Sequence, residues 1–272
     1  MTDVAARKQR ERERVPVAAI AVAGVAVVFF AVPLAGLVWK APWRTAWDEL
    51  TRHDALTALR LSLVTSLGAT AVAVVLGVPL AWVQARVPYR GKGLVRALTL
   101  LPMVLPPVVG GTALLYGLGR RGLAGRALDA VGVHLPFSTA GAVVAEAFVA
   151  MPFLVLTAEA AFRSSDRDLE EAARTLGARR GRVFRQVTLP LARPALVAGA
   201  VLCWARALGE FGATITFAGN LPGHTQTLPL FVYVRLESPN PDAAIVLSLL
   251  LLAVSVIVIV ALRDRWLGAL GR

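Results

Sequence analysis

The chain has 272 residues, 57% of them hydrophobic, and a mean hydropathy of +0.65. That exceeds the ~45–50% apolar content of ordinary soluble domains. The excess is gathered into runs free of Asp, Glu, Lys and Arg at 15–39, 61–85, 97–119, 130–145 and 243–262, which excludes a soluble globular protein. The net charge of +12 lies between these runs, so it argues for membrane topology and against a nucleic-acid partner.

About 20 apolar residues at 1.5 Å each cross a bilayer core. Hydrocarbon tolerates only helices and closed barrels, because backbone polar groups must be satisfied internally. No period-2 alternation of a barrel strand is visible. The expectation is an all-α polytopic membrane protein with six transmembrane helices, near 16–38, 61–85, 97–118, 139–162, 194–218 and 243–262. With the N-terminus inside, segments 1–14, 86–96, 163–193 and 263–272 hold 20 Lys and Arg against 8 acids. The outside segments 40–60, 120–129 and 219–242 hold 8 against 6. The excess on one side predicts that both termini are cytoplasmic.

The chain opens on a basic segment, Arg7 to Arg14, that reads as a topogenic anchor. The first span lacks a small-residue cleavage site, so it is read as a retained helix rather than a signal peptide. Pro16 opens it and Pro194 opens the fifth, both tolerable in a first turn. Trp39, Trp43, Trp82 and Trp266 are placed as interfacial anchors. The third span contains Pro102, Pro106, Pro107 and the pair Gly110-Gly111. It is expected to bend or break, either as a packing kink or beside a transport path.

His53, His134 and His224 are scattered in external loops and read as solvated. Cys203 is the single cysteine, so no disulfide or Cys-based metal site forms within one chain. Gly91-Lys92-Gly93 is not a P-loop, so ATP is not expected to bind here. In the external segment 219–242, Leu228 to Leu236 is too short to cross and suits a re-entrant or interfacial helix. With ten residues after the sixth span, no cytoplasmic regulatory domain is expected there.

Residues 163–193 carry the densest pattern. Ser165-x-x-Asp168 resembles a capping box, and Asp166, Asp168, Glu170 and Glu171 crowd a helix start. Leu169, Ala172, Ala173 and Leu176 give one apolar face. Gly177 stands where a left-handed residue ends a helix. Arg179, Arg180, Arg182 and Arg185 follow, with Val183, Phe184 and Val187 interleaved, and Leu189-Pro190 is expected to stop this second helix.

The spacing is Glu171-Ala172-Ala173, then Gly177, Val187 and Leu189-Pro190. It resembles the EAA loop of ABC-importer permeases, with Val187 where the motif has isoleucine. The resemblance implies a type I importer permease. Residues 1–15 would be a cytoplasmic basic N-terminus and 16–272 a transmembrane permease domain with its coupling loop at 163–193. From about residue 55 to 262 the chain is similar to molybdate and tungstate permeases, and more loosely to sulfate permeases. The run FGATITFAGN from Phe211, the later TLPL, and LP-x3-PP-x-V in the third span carry that likeness.

The resemblance implies a bacterial cell-membrane importer with two copies of an ATP-binding subunit, which hold the ATP and Mg. It also implies an extracytoplasmic molybdate-binding protein, a permease homodimer and surrounding lipid. No cofactor or metal is expected on this chain, which is non-catalytic. Candidate pathway or gate residues are Pro106, Pro107, Arg206, Gly209, Glu210, Gly212, Thr214 and Thr216. Arg206 and Glu210 sit four apart on one helical face. They read either as a gate pair or as a self-neutralising structural pair; a carboxylate helps an oxyanion little, which favours the second. Gly209 and Gly212 are expected to permit close helix approach, and Thr214 and Thr216 to offer hydroxyls to a passing anion. Glu146 has no partner in its own span. The alternatives are a sulfate or thiosulfate permease, a stand-alone secondary transporter, and a membrane-embedded enzyme, for which no nucleophile–base pair or metal spacing appears.

Overall fold

A computed structural model describes residues 16–270, with side chains as far as residue 260. The basic N-terminal segment 1–15 and the Trp266 anchor therefore lie outside the described side chains. Every regular element among the described residues is helical. Five helices are long and apolar enough to cross a membrane.

The helix α1 (Val17–Lys40) has no buried residue and lies at the periphery, touching the last helix. A short α2 (Ala46–Thr51) leads to α3 (His53–Arg86), the longest helix. The third predicted crossing is two helices, α4 (Lys92–Val104) and α5 (Pro107–Leu118), parted at Leu105-Pro106. Pro106 and Pro107 cannot donate to carbonyls of the preceding turn, so the helix ends and restarts with proline in its first turn. After the short α6 (Gly125–Ala130) comes α7 (Thr139–Ser164), capped by Ser138, whose Oγ accepts from the Gly141 N–H at 3.0 Å.

The loop that follows is α8 (Arg167–Thr175), α9 (Arg180–Val183) and a π turn (Phe184–Thr188). The π turn runs without interruption into α10 (Leu189–Leu208). Leu189-Pro190 therefore does not stop the second loop helix, and Pro194 does not open the fifth span. Pro190 lies in the first turn of α10 and Pro194 inside it; the widened turn before them carries the chain through. The fifth span is itself interrupted. The helix α10 closes on Gly209, and α11 (Gly212–Phe217) restarts after Glu210 and Phe211. Between α11 and the last helix, α12 (Leu228–Leu236) matches the expected short helix. The last helix, α13 (Asp242–Leu270), runs eight residues past its expected end at 262.

The centre is the trio α3, α7 and α10, joined through Ala69, Ala73, Ala147, Ala150, Leu154, Cys203 and Ala207. Lipid tails are as apolar as leucine, so association depends on close van der Waals packing, and small residues let backbones approach. The buried hydroxyls of α3 tie it to three other elements. Ser62 accepts from the Leu228 N–H at 2.6 Å, Thr65 donates to Glu146 Oε1 at 2.8 Å, and Ser66 accepts from Trp204 Nε1 at 3.1 Å. Glu146 thus finds its partner on α3. Trp39 and Trp43 are exposed, as anchors should be, but Trp82 packs edge-on against Phe184 at 5.6 Å.

Candidate functional site

Two regions bring together the residues that the sequence singled out. The first is the loop from Ser165 to Pro190. Its N-cap is Asp166, whose carboxylate accepts from the Asp168 N–H at 2.9 Å, rather than Ser165 as the capping-box pattern suggested. Ser165 instead ends α7 and takes a hydrogen bond from Arg86. The helix α8 closes in a Schellman turn: the Gly177 N–H bonds the Arg174 carbonyl at 2.9 Å, and the Ala178 N–H bonds Ala173 at 3.0 Å. Gly177 has φ +84°, a conformation that costs a residue with a Cβ about 1–2 kcal/mol.

Within this loop the motif residues and the anchoring residues are different sets. Glu171 and Ala172 are exposed and Ala173 is half-buried; Leu169 is 49% exposed and Leu176 88%. Among the described residues, the apolar face predicted for α8 is therefore largely open, with Ala173 alone half-buried. The buried carboxylate is the neighbour, Glu170. Its Oε1 accepts from Arg86 Nη2 and from Thr188 Oγ1, both at 2.9 Å, with Arg174 at 3.7 Å from Oε2. Arg86 ends α3 and Thr188 closes the π turn, so one carboxylate ties the first loop helix to the second and both to a span. Sequence reasoning missed Glu170 and Arg86. The available signal was helical phase, since Glu170 lies four residues before Arg174 and off the Leu169–Ala173–Leu176 stripe.

The second half of the loop is held by packing. Val183 is buried, and Phe184 lies against Trp82 and Phe162, beside Ala81, Val155 and Ala158. Val187 and Leu189 are half-buried and Pro190 is exposed. At the same end of the bundle, Glu159 is buried and paired with Arg163 at 2.6 Å and Arg96 at 3.6 Å.

The second region is where the two interrupted helices meet. A Cβ on Gly212 would lie 2.6 Å from Pro107 Cβ, and one on Gly111 would lie 2.6 Å from Thr216 Cβ and 2.9 Å from the Ala213 carbonyl. The restarted halves α5 and α11 thus touch through glycine, immediately after their breaks. Gly209 makes no such approach and serves as the C-cap of α10. Glu210, 1% exposed, pairs with Arg206 at 2.5 Å, and its Oε1 accepts from the Ala213 N–H at 3.0 Å. Its carboxylate therefore spans the break, pairing with Arg206 of one half-helix and accepting a first-turn N–H of the next, where a negative charge suits the dipole. Thr214 is fully enclosed, and Thr216 donates to its own helix at the Gly212 carbonyl, 2.8 Å away. Among the described residues, no group of three or more His, Cys, Asp or Glu side chains is placed to hold a metal ion.

This architecture has known counterparts. Residues 73–270 match the family described as "Binding-protein-dependent transport system inner membrane component". The "Molybdenum transport system permease protein ModB" of Mycobacterium tuberculosis is 50% identical over 225 residues, 83% of this chain and 84% of that one. The protein of the same name in Escherichia coli is 46% identical over 67% of this chain and 80% of that one. The "Sulfate transport system permease protein CysT" of Salmonella typhimurium is 36% identical over 75% of each. A solved bacterial alginate ABC transporter, in complex with an alginate pentasaccharide-bound periplasmic protein, has a chain of the same fold. Its TM-score is 0.74 at 17% identity, over 93% of this chain and 94% of that one. The long unbroken α3–α7–α10 core, the anchored loop between α7 and α10, and a match spanning most of the chain together make this protein a member of the binding-protein-dependent transport system inner membrane components.

Proposed function

We infer that this chain is the permease subunit of an ATP-driven importer of molybdate, forming the path by which the oxyanion crosses the membrane. The observation that carries the reading is a loop bolted to the core by Glu170 while its motif face is left open, in a chain half-identical to named molybdenum permeases. Exposed Leu169 and Leu176 beside Glu171 form a ridge left largely open among the described residues, which suits insertion into a groove on another subunit.

In this proposal two copies of the chain pair across a central path, and two ATP-binding subunits each grip one loop. ATP and Mg stay on those subunits; this chain is non-catalytic and needs no cofactor of its own. Closure of the ATPases draws the loops together and opens the path outward, where an extracytoplasmic binding protein delivers molybdate. Hydrolysis resets it. Glu170 transmits the movement to α3 through Arg86 and to α10 through Thr188. Both termini are assigned to the cytoplasm from the distribution of Lys and Arg.

The test is labelled-molybdate uptake in cells lacking the gene, with and without excess sulfate. Loss of high-affinity molybdate uptake with sulfate uptake intact is the expected result. Intact molybdate uptake with reduced sulfate uptake would move the chain to the sulfate permeases, whose likeness is weaker. Uptake that continues after loss of any partner ATPase would replace the importer with a stand-alone transporter.

A further inference from the structure

Between α3 and the loop lies a cavity of about 880 Å³, within the size range of small-molecule sites. Its two ends differ in chemistry. One wall is a strip of α3: Val74, Val75, Val78, Pro79 and Trp82. The far end gathers Arg167, Arg174 and Arg180 of the loop. Arg86 also lines it but is engaged by Glu170 and Ser165. Arg167 and Arg180 make no ion pair among the described residues. Glu171 is the one other acid on the lining besides Glu170, so the basic end carries uncompensated positive charge.

Geometry limits what fits. From Val74 to Arg86 the helix rises about 18 Å at 1.5 Å per residue, close to one leaflet of a ~30 Å hydrocarbon core. Val75 is 68% exposed, so the apolar strip opens sideways to the surroundings of the helix. A free oxyanion would use the arginines but has no need of an apolar strip running about 12 Å along α3 from Val74 to Trp82. A zwitterionic lipid offers the same phosphate, but its ammonium cancels that charge and would add a cation beside the arginines.

We propose that this groove holds one anionic phospholipid, its acyl chain along Val74 to Trp82 and its phosphate among Arg167, Arg174 and Arg180. Basic recesses beside transmembrane helices recognise such headgroups by charge, and guanidinium forks suit phosphate. The lipid touches both α3 and the loop, so it joins the moving part of the transporter to the bilayer. The proposal goes beyond the transport reading and is independent of which oxyanion is carried.

The experiment is native mass spectrometry of the purified full-length chain, delipidated and titrated with phosphatidylglycerol, phosphatidylcholine, inorganic phosphate or molybdate. Phosphatidylglycerol is expected to be retained in preference to phosphatidylcholine at one copy per chain. The double variant Arg167→Gln/Arg180→Gln should weaken it about 30-fold, at about fivefold for each arginine near a membrane surface. Val75→Trp, which fills the strip and leaves the charge, should weaken it as well and stands in if the double variant fails to fold. Equal retention of both lipids, or retention unchanged in either folded variant, would overturn the proposal. Displacement of the lipid by millimolar phosphate or molybdate would also overturn it, and would make the basic end a free-oxyanion site.

Discussion

The loop between α7 and α10 and the contact between α5 and α11 are both places where helices stop and restart, and they are solved in opposite ways. The loop is held by charge: Glu170 gathers Arg86, Thr188 and Arg174 around one carboxylate, and the surface beyond it stays open. The contact of broken helices is held by the absence of side chains: Gly111 and Gly212 bring backbone against Pro107, Ala213 and Thr216. Water reaches the first region and can solvate what the protein leaves unpaired. The second is buried on the side of Gly111, Glu210 and Gly212, where the Glu210 carboxylate takes the Ala213 N–H freed at the break.

The comparison is broken most completely by separating the two adjacent glutamates. Glu171→Lys with Ala173→Arg is expected to abolish uptake and co-purification of the ATPase while the unfolding midpoint of the permease stays unchanged. A variant of this kind that transports normally would remove the coupling role from the open face. Glu170→Ala strands Arg86 against a buried position and should cost about 3 kcal/mol, read as a lowered unfolding midpoint accompanied by weaker uptake. Glu170→Gln keeps the Thr188 hydrogen bond and should fall between the two.

At the glycine contact, Gly212→Leu forces a side chain into Pro107 and is expected to cost about 2 kcal/mol by overpacking, checked by thermal unfolding in detergent. The loop equivalent, Gly177→Ala, meets no atom within 4 Å. Its cost is conformational, about 1 kcal/mol, and it should leave ATPase binding measurable. The smallest effect expected is Val187→Ile, which restores the motif's isoleucine at a half-buried position. Uptake should change by less than about twofold, corresponding to the ±0.5 kcal/mol of a benign substitution.

Much of this was readable from residue order. Charge-free runs of span length placed the long helices, proline density located the break at Leu105-Pro106, and Gly177 announced its left-handed turn because little else tolerates that geometry. The second break was hidden. Gly209-Glu210-Phe211 contains no proline, and the i, i+4 spacing of Arg206 and Glu210 reads the same in a continuous helix. Pro190 and Pro194 misled in the other direction. Proline ends a helix only when a donor it lacks was needed, and a π turn beforehand changes which donors those are. Glu170 was passed over for Glu171 because a motif marks residues shared between proteins, whereas burial depends on which side of α8 faces Arg86.

The π turn at Phe184–Thr188 also fixes a phase. A π turn carries one residue more than the α-helical path it replaces, and one residue corresponds to about 100° of rotation around a helix. The loop is therefore set at its bearing on α10 by a single inserted position. Deleting one residue there would leave Glu171 to Gly177 unchanged and aim that face about a quarter-turn away. The segment works as a vernier between the part of the chain that crosses the bilayer and the part that faces its neighbour.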